Sequence, residues 1–232
     1  MNTYILPHLG IGDYIVINGL IRNIINKEDS SKNFILFCNR KYKVSVPFMF
    51  RDIKNLSYSY IPAVEMSRYY ILPYIREKDY KLIVIGYDAI DYKTSVDMMF
   101  YKQFNIDFEK RWSDFYVQRD EEREKKLFKH FNVKENEYIF LHEGGSENKN
   151  IIDRTKINSN LKIVFPDLNL TDNIFDYCYL IEHAAEIHCV ESGFLFLIDS
   201  IPTNGKLFSH RYARQLYEYT VPHLKKQWTI WK

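Results

Sequence analysis

Short apolar runs alternate along the chain with stretches whose apolar residues recur at helical spacing. We predict strands at the apolar runs, namely 3–7, 33–38, 56–60, 81–86, 137–141, 161–165 and 187–190. We predict helices at the stretches with helical spacing, namely 13–26, 41–50, 64–77, 172–185 and 192–200. Strands that alternate with helices are typical of parallel sheets with crossover helices. The pattern therefore predicts the α/β fold class.

A charged helical stretch, "QRDEEREKKLFKHFN", separates two series of strands. We therefore expect two Rossmann-like lobes with parallel sheets, 1–120 and 121–232. Trp228 and Trp231 need burial that a free tail would deny them. For this reason we expect the C-terminal segment, "RQLYEYTVPHLKKQWTIWK", to pack back across the lobes.

The composition favours a globular protein that would bind any anionic ligand through individual residues of a site rather than through a long-range positive field. Of its 232 residues, 46% are hydrophobic, and 32 Lys and Arg against 30 Asp and Glu give a net charge of only +2. Such a balance disfavours nucleic acid and anionic membranes as partners. The sequence shows no signal segment and no apolar stretch of the roughly 18 residues that cross a bilayer. Its three cysteines lie in apolar runs, which is typical of free thiols in a reducing compartment, so we expect a cytoplasmic protein.

The first candidate loop is "PHLGIGDYIV", between a predicted strand and a predicted helix. Gly10 and Gly12 permit a tight turn there, and Asp13 falls at the N-cap or in the first turn of the helix. Asp13 either caps this helix or acts as a base that accepts a proton from a hydroxyl nucleophile. Ile15 stands where a dinucleotide-binding fingerprint needs its third glycine, so a nicotinamide cofactor is disfavoured.

The second candidate loop, "HEGGSENKNIIDRTK", follows the predicted strand at 137–141. It combines small residues that expose backbone N–H groups with cations, namely Gly144, Gly145, Ser146, Lys149, Arg154 and Lys156. This combination suits a diphosphate, although the loop lacks the spacing of a P-loop. The alternative is a flexible surface turn with solvated lysines.

The third candidate loop lies in "CVESGFLFLIDSIP". A predicted strand runs into Glu191, Ser192 and Gly193, and an apolar helix begins at once. The helix N-terminus would offer N–H groups and its positive dipole end to an anion. The alternative is that Glu191 only caps the helix and that the following apolar residues are core.

Together and in this order, "GIGD", "EGGSENKNIIDR" and "VESG" resemble the loops of GT-B glycosyltransferases, in particular the heptosyltransferase-like family 9 group. The stretch "LTDNIFDYCYLIEHAAEIHCVESG" also resembles that group's helix, alanine pair, strand and acidic turn. The resemblance implies two lobes facing across a cleft, with the acceptor bound by the first lobe and a nucleotide-sugar donor by the second.

The resemblance also implies roles for particular residues. Asp13 would be the base that deprotonates the acceptor hydroxyl, and Arg154 would neutralise the diphosphate leaving group. Glu191 would hold hydroxyls of the donor sugar or the ribose. Further contacts to donor and acceptor would come from small or polar residues of the same loops, namely Gly144, Ser146, Ser192 and Gly193 for the donor and His8, Gly10 and Gly12 for the acceptor.

No metal and no cofactor beyond the nucleotide sugar are implied, because helix dipoles and arginine take the place of a divalent ion. The chain departs from the group in two respects. It is shorter, and Phe194 to Phe196 replace a histidine that follows the acidic turn. Glu191 and Asp199, eight residues apart, resemble the paired acids of retaining enzymes, which leaves inversion and retention both open.

Two alternatives to a glycosyltransferase stay open on the sequence. One is a nucleotide-sugar epimerase or hydrolase on the same fold. The other is a non-catalytic module that binds a nucleotide or a glycan, which the short chain and the missing histidine favour.

Overall fold

The computed structural model describes residues 2–8, 10–28, 31–62, 71, 80–86, 93–145, 149–157, 160–167, 169–213 and 221–232. The chain divides into two compact units, Met1–Gln118 and Arg119–Lys232. The division falls close to the boundary expected at 120, while the acceptor and donor roles of the two units stay predictions. The helix predicted at 64–77 lies outside the described residues apart from residue 71.

The described part of the first unit contains a sheet of four parallel strands. They are β1 (Thr3–Leu6), β2 (Phe34–Asn39), β3 (Leu56–Ile61) and β4 (Lys81–Val84), in the order β3-β2-β1-β4. Ile5 of β1 pairs with Leu36 of β2 and with Ile83 of β4. Because all four strands are parallel, their carboxyl ends lie along one edge of the sheet, which includes the start of the first candidate loop.

The helices in the described part of the first unit are short. They are α1 (Ile11–Val16), α2 (Asn18–Lys27), α3 (Ser45–Met49), α4 (Val96–Lys102) and α5 (Lys110–Ser113), with a 3₁₀ turn at Arg40–Tyr42. The single helix predicted at 13–26 is therefore wrong in one respect, because Ile17 leaves helical geometry at φ −90° and ψ 9° and separates α1 from α2. Both helices bury an apolar face.

The described part of the second unit contains a sheet of five parallel strands. They are β5 (Tyr138–His142), β6 (Lys162–Val164), β7 (Glu186–Cys189), β8 (Lys206–His210) and β9 (Trp228–Trp231), in the order β6-β5-β7-β8-β9. The sequence pattern did not predict the last two strands. Both C-terminal tryptophans lie in an edge strand of this sheet and are half-buried there, while the packing of the C-terminal segment across the lobes stays a prediction.

The helices of the second unit are α6 (Glu121–His130), α7 (Cys178–Glu182) and α8 (Gly193–Ser200), with 3₁₀ turns at Arg154–Lys156, Ile174–Tyr177 and Arg211–Ala213. The helix predicted at 172–185 is thus a 3₁₀ turn followed by the shorter α7. Helix α8 is apolar on most sides and largely buried, as expected of a helix packed in a core.

The three cysteines are buried free thiols, as expected: Cys38, Cys178 and Cys189. Among the helices that the structure describes, none is both long enough and apolar enough to span a bilayer.

Candidate functional site

Asp13 lies at the carboxyl edge of the first sheet, as the third residue of α1, and Gly10 is the N-cap residue of that helix. The Asp13 carboxylate lies against Gly10, whose backbone N–H acts to lower the pKa of Asp13. An acidic residue at the third helical position is placed as in a capping box. The side chain stays partly exposed to solvent. Asp13 therefore caps the helix start and still presents a carboxylate at the strand ends.

The interpretation of the glycines in this loop is corrected by the backbone angles. Gly10 has φ −78° and ψ 144°, which any residue can adopt. A Cβ at this position would lie 2.8 Å from Oδ2 of Asp13. Gly10 therefore makes room for the Asp13 carboxylate rather than supplying a left-handed turn. Gly12 lies inside α1, and among the described glycines only Gly86 has a positive φ.

His8 packs against two residues that the sequence analysis did not select, Gly86 and Phe100. Gly86 has φ 82°, and a Cβ there would lie 2.8 Å from Nε2 of His8 and 2.7 Å from Cε1 of Phe100. The His8 ring packs edge-to-face on Phe100, with 5.2 Å between centroids. The signal in the sequence was the glycine directly after the apolar run "KLIVI". Because Gly86 has no side chain, the His8 ring has room to pack against Phe100 at the end of β1.

Tyr42 also belongs to this edge of the sheet. The Tyr42 phenol lies near enough to the Ile11 backbone N–H and to Asp13 for both to act on its pKa. Burial raises the pKa of Tyr42, and the Asp13 charge adds to that rise. We refer to His8, Asp13 and Tyr42 as the Asp13 cluster.

Desolvation raises the pKa of Asp13 above its usual value of 3.8. The charge of His8 and the hydrogen bond from Gly10 act in the opposite direction but do not cancel the rise. A carboxylate with a raised pKa holds a proton more firmly than a solvated aspartate does. This is the property that general-base catalysis requires, because a base works best when its pKa approaches the working pH.

The second candidate loop is organised around Glu143, whose side chain is almost fully buried at the end of β5. Its Oε1 accepts the Ile152 N–H at 2.6 Å and Nη1 of Arg154 at 2.8 Å, and its Oε2 lies 3.6 Å from Nζ of Lys149. Although burial raises the pKa of Glu143, the bonds from Arg154 and Ile152 hold it below the usual range. Arg154 therefore forms an ion pair with Glu143, which the sequence analysis did not predict.

Gly144 allows the second loop to approach β5 closely. Gly144 forms an isolated antiparallel bridge with Lys149, and a Cβ on Gly144 would lie 2.9 Å from Nε2 of His142. The loop is thus held by defined contacts where it is described, rather than being a turn of solvated lysines only. Ser146, an expected donor contact, lies outside the described residues.

Ser192 precedes α8 as its N-cap residue, yet its side chain makes no capping hydrogen bond. Its Oγ lies instead 3.0 Å from Nδ1 of His142 and 3.6 Å from Sγ of Cys189. Burial lowers the pKa of His142 to about 4, so its ring is neutral at neutral pH. The first N–H groups of α8, which begins at Gly193, are therefore not capped by Ser192.

Glu191 is buried between β7 and α8, and it accepts hydrogen bonds at Oε1 from the Ser209 hydroxyl at 3.1 Å and from Nε of Arg211 at 2.9 Å. Its partners come from β8 and the turn after it, so helix capping is not its role in the described contacts. Arg211 is a further cation at the carboxyl edge of this sheet, and the sequence analysis missed it.

Asp199 does not face the strand ends that carry Glu191. It lies near the end of α8 and accepts hydrogen bonds from the backbone N–H groups of Lys225 and Lys226 and from Nε1 of Trp228, at 3.0 to 3.1 Å. Asp199 therefore ties the C-terminal segment to α8. These contacts, rather than its spacing from Glu191, argue against its interpretation as the partner of Glu191 in a pair of catalytic acids.

No family model matches the sequence, and no curated protein matches it either. Solved structures match the fold. A glycosyl transferase of family 9 from Veillonella parvula DSM 2008 has a TM-score of 0.56 and 9% identity, over 90% of this chain and 80% of its own. The E. coli ADP-heptose LPS heptosyltransferase II has a TM-score of 0.50 and 11% identity, over 90% and 84%. The E. coli heptosyltransferase WaaC with ADP-2-deoxy-2-fluoro heptose has a TM-score of 0.50 and 9% identity, over 99% and 92%.

The two α/β units with their parallel sheets have the GT-B fold of glycosyltransferases, which confirms the predicted fold class. The similar structures are heptosyltransferases and a family 9 enzyme, so the resemblance noted in the three loops is confirmed at the level of the fold. At identities of 9 to 11%, the similarity supports the fold but not the roles of single residues.

Among the described residues, no group of three or more His, Cys, Asp or Glu side chains could hold a metal ion.

Proposed function

We propose that this protein is a glycosyltransferase that moves a sugar from a nucleotide-diphosphate sugar to a hydroxyl of a glycan or another acceptor. The observation that carries the proposal is Asp13, a carboxylate with a raised pKa at the carboxyl edge of the first sheet of a glycosyltransferase fold. Ligands of open parallel sheets gather at this edge.

In the proposed reaction the first unit binds the acceptor near His8, Gly10 and Gly12. Asp13 takes the proton of the acceptor hydroxyl as its oxygen attacks the anomeric carbon of the donor sugar. The bond between that carbon and the diphosphate oxygen breaks, and the nucleoside diphosphate leaves with the electron pair. The proton acceptor and the nucleophile are thus supplied without a cofactor.

The second unit binds the donor in this proposal. Arg154 is half exposed beside the Glu143 carboxylate, so it can take part in neutralising the charge of the diphosphate. Gly144, Ser192 and Gly193 contribute polar and backbone groups at the start of α8 and of the second loop. In this proposal Glu191, which accepts a hydrogen bond from Arg211, also accepts hydrogen bonds from sugar or ribose hydroxyls.

We propose transfer without a divalent metal, because arginine and the helix N-terminus supply the positive charge that the leaving group requires. We also propose a cytoplasmic location, which the three free thiols favour. Two of the similar structures are heptosyltransferases whose names include ADP-heptose or an ADP-heptose analogue, so ADP sugars are the first donors to test.

The test is a product assay on the Asp13→Asn variant. Asn keeps the shape of Asp and is nearly as good a residue for a helix start but cannot act as a base, so we expect an unchanged melting temperature and a transfer rate lower by about 10² to 10⁴. The assay contains EDTA, ADP-heptose or ADP-, UDP- and GDP-hexoses, and a panel of p-nitrophenyl glycosides, with products identified by mass spectrometry.

The matched control is Asp120→Asn, because Asp120 also caps a helix start, that of α6, by accepting the Arg123 N–H. We expect Asp120→Asn to transfer sugar at the parental rate. An Asp13→Asn variant as active as this control would reduce Asp13 to a helix cap. An isomerised donor would identify an epimerase, free sugar a hydrolase, and binding without turnover a binding module.

A further inference from the structure

The 3₁₀ turn after β8, Arg211–Ala213, contacts the second and the third candidate loops at once. Nε of Arg211 donates to Oε1 of Glu191 at 2.9 Å. The hydroxyl of Tyr212, the next residue, accepts the backbone N–H of Asp153 at 2.9 Å. One short turn therefore connects two loops that lie far apart in the sequence, and the proposed function assigns no role to Tyr212.

Tyr212 contacts the 3₁₀ turn Arg154–Lys156 at both of its ends. Asp153, whose N–H binds the Tyr212 hydroxyl, is the N-cap residue of that turn. At the other end, Nζ of Lys156 lies 5.1 Å from the centroid of the Tyr212 ring and 5.3 Å from that of Trp231. Both distances are within the range of cation–π contacts. Tyr212 therefore holds the backbone of this turn in place.

The position of this turn matters because the Arg154 guanidinium is held by one nitrogen only. Its Nη1 donates to Oε1 of Glu143 and to the carbonyl oxygen of Ile152. Among the described residues, none accepts a hydrogen bond from Nε or Nη2 of Arg154, and its side chain is 41% exposed. The N–H groups of Nε and Nη2 form the fork that binds two oxygens of a phosphate. The direction of this fork depends on where the backbone of the turn lies.

Two buried histidines continue the hydrogen bonds behind Tyr212. The Tyr212 oxygen lies 3.1 Å from Nδ1 of His210, and Nε2 of His210 lies 2.8 Å from Nδ1 of His188. Nε2 of His188 lies 3.5 Å from Oε2 of Glu186. Desolvation lowers the pKa of both histidines to about 4, so both rings are neutral at neutral pH. We refer to Tyr212, His210 and His188 as the Tyr212 network.

The direction of every hydrogen bond in the Tyr212 network follows from its two ends. A carboxylate can only accept, so neutral His188 carries its proton on Nε2, towards Glu186. Nδ1 of His188 then accepts from Nε2 of His210, whose own Nδ1 accepts the phenol proton of Tyr212. The phenol oxygen keeps a lone pair for the Asp153 N–H, which can only donate. Both ends thus require the same arrangement, in which the Tyr212 oxygen faces the Asp153 N–H.

We propose that Tyr212 is a positioning residue of the donor site, which holds the Arg154 turn so that Nε and Nη2 of Arg154 bind two oxygens of the diphosphate. His210 orients the Tyr212 hydroxyl, and His188 sets the tautomer of His210. This inference rests on the proposed function, because the diphosphate belongs to the proposed donor. The Tyr212 network acts through Arg154, and no bond to the substrate forms or breaks at its residues.

The test compares Tyr212→Phe with a matched control, Tyr177→Phe. Tyr212→Phe removes the hydroxyl and keeps the ring against Lys156. The Tyr177 hydroxyl accepts the N–H of Asp167 at 3.0 Å, so the control loses a bond of the same kind in another loop of the second unit. The probes are ADP, UDP and GDP, whose affinities are measured by isothermal titration calorimetry at neutral pH in EDTA. The variants are compared on the diphosphate that the wild-type protein binds most tightly.

We expect Tyr212→Phe to bind the diphosphate about 3- to 10-fold more weakly than Tyr177→Phe, the value of one neutral hydrogen bond. In an Arg154→Ala background we expect Tyr212→Phe to cause no further loss, because Tyr212 acts through the Arg154 side chain. A general loss of stability would weaken binding equally in both backgrounds, so this cycle separates positioning from a merely structural role.

NMR tests the Tyr212 network without any ligand. We expect ¹⁵N spectra of the histidine rings to show His188 and His210 protonated on Nε2 and unprotonated on Nδ1. We also expect the Asp153 amide to exchange its hydrogen faster in Tyr212→Phe than in Tyr177→Phe, because its acceptor is lost.

Equal diphosphate affinity in Tyr212→Phe and Tyr177→Phe would show that Tyr212 does not position Arg154, as would an equal loss with and without the Arg154 side chain. Either result leaves the proposed function intact. A proton on Nδ1 of His210 would contradict the roles given to His210 and His188. A wild-type protein that binds none of the three diphosphates would remove the donor role proposed for the second unit, and the role of Tyr212 with it.

Discussion

The Nη1 atom of Arg154 lies 2.8 Å from Oε1 of Glu143, and the Glu143 side chain is only 2% exposed. The same guanidinium nitrogen donates to the carbonyl oxygen of Ile152 at 2.7 Å. A buried carboxylate without partners would be costly, so the charge of Arg154 is needed for the fold of this loop as well as for the proposed contact to a diphosphate.

The first prediction concerns Glu143→Gln, which removes the charge and keeps the shape. We expect the free energy of unfolding to fall by about 1 to 2 kcal/mol, because charge-assisted bonds to Arg154 and Ile152 become neutral ones. Urea denaturation measures the change. The control is Glu137→Gln, since Glu137 is 61% exposed and 3.9 Å from Lys134, where we expect less than about 0.5 kcal/mol. Equal losses in both variants would contradict the role assigned to Glu143.

The second prediction concerns the pH dependence of transfer. Asp13 must be ionised to accept a proton, and its pKa lies above 3.8 because of desolvation. We therefore expect kcat/KM to fall as the pH decreases through this raised pKa. The fall should occur at a higher pH than it would for an aspartate with the usual pKa. The same shift stabilises the fold below pH 3.8, and that contribution is lost as the pH rises through the folded-state pKa.

His8→Gln provides the comparison for this profile. The charge of His8 lowers the pKa of Asp13, so its removal should move the acid limb of kcat/KM to higher pH. Titration of the Asp13 carboxyl by ¹³C NMR checks the same shift without any activity measurement. An acid limb that stays in place in His8→Gln would show that His8 does not act on the Asp13 charge.

The third prediction concerns the stability of the second unit in mild acid. Three histidines of the second unit have pKa values lowered to about 4, mainly by desolvation: the half-buried His142 and the buried His188 and His210. Nδ1 of His188 lies 2.8 Å from Nε2 of His210, and this second ring also contacts the Tyr212 hydroxyl. A group whose folded pKa is depressed contributes stability above its unfolded pKa of 6.5, and that stability is lost towards pH 4.

We therefore expect the free energy of unfolding, measured by urea denaturation, to fall steadily between pH 6.5 and 4.5, by up to about 1 kcal/mol per pH unit for each histidine. His210→Leu should make this slope shallower whatever it does to stability at pH 7. His130→Gln, on an exposed position of α6, is the control and should keep the wild-type slope. A slope that is unchanged in His210→Leu would argue against a neutral buried pair.

The fourth prediction concerns Gly86→Ala. At φ 82°, an alanine is strained by about 1 to 2 kcal/mol, and its Cβ would also meet His8 and Phe100. We expect the free energy of unfolding to fall by about 2 kcal/mol or more. A double-mutant cycle with His8→Ala separates the two causes, because removing the ring relieves the contact but not the backbone strain. Fully additive effects would show that the residue at position 86 and the His8 ring do not interact.

The sequence pattern located most strands well and some helices poorly. Runs such as "KLIVI" and "EYIFL" are nearly all apolar because strands of a parallel sheet are covered on both faces. The strand Lys206–His210 escaped prediction because its buried positions include polar Ser209 and His210, and the half-buried edge strand Trp228–Trp231 has no such run. The break at Ile17 also escaped, since apolar spacing continues through it.

By itself, the sequence determined an α/β chain with two series of strands, and it placed Asp13 at the start of the helix that follows one strand and Glu191 just after another, where parallel sheets gather their ligands. Only the tertiary structure decided which groups meet there. Glu143 pairs with Arg154, and Glu191 pairs with Arg211 across 20 residues of chain. The second pair forms because β7 lies beside β8, and strand order is set by how whole sheets and helices pack rather than by any local pattern.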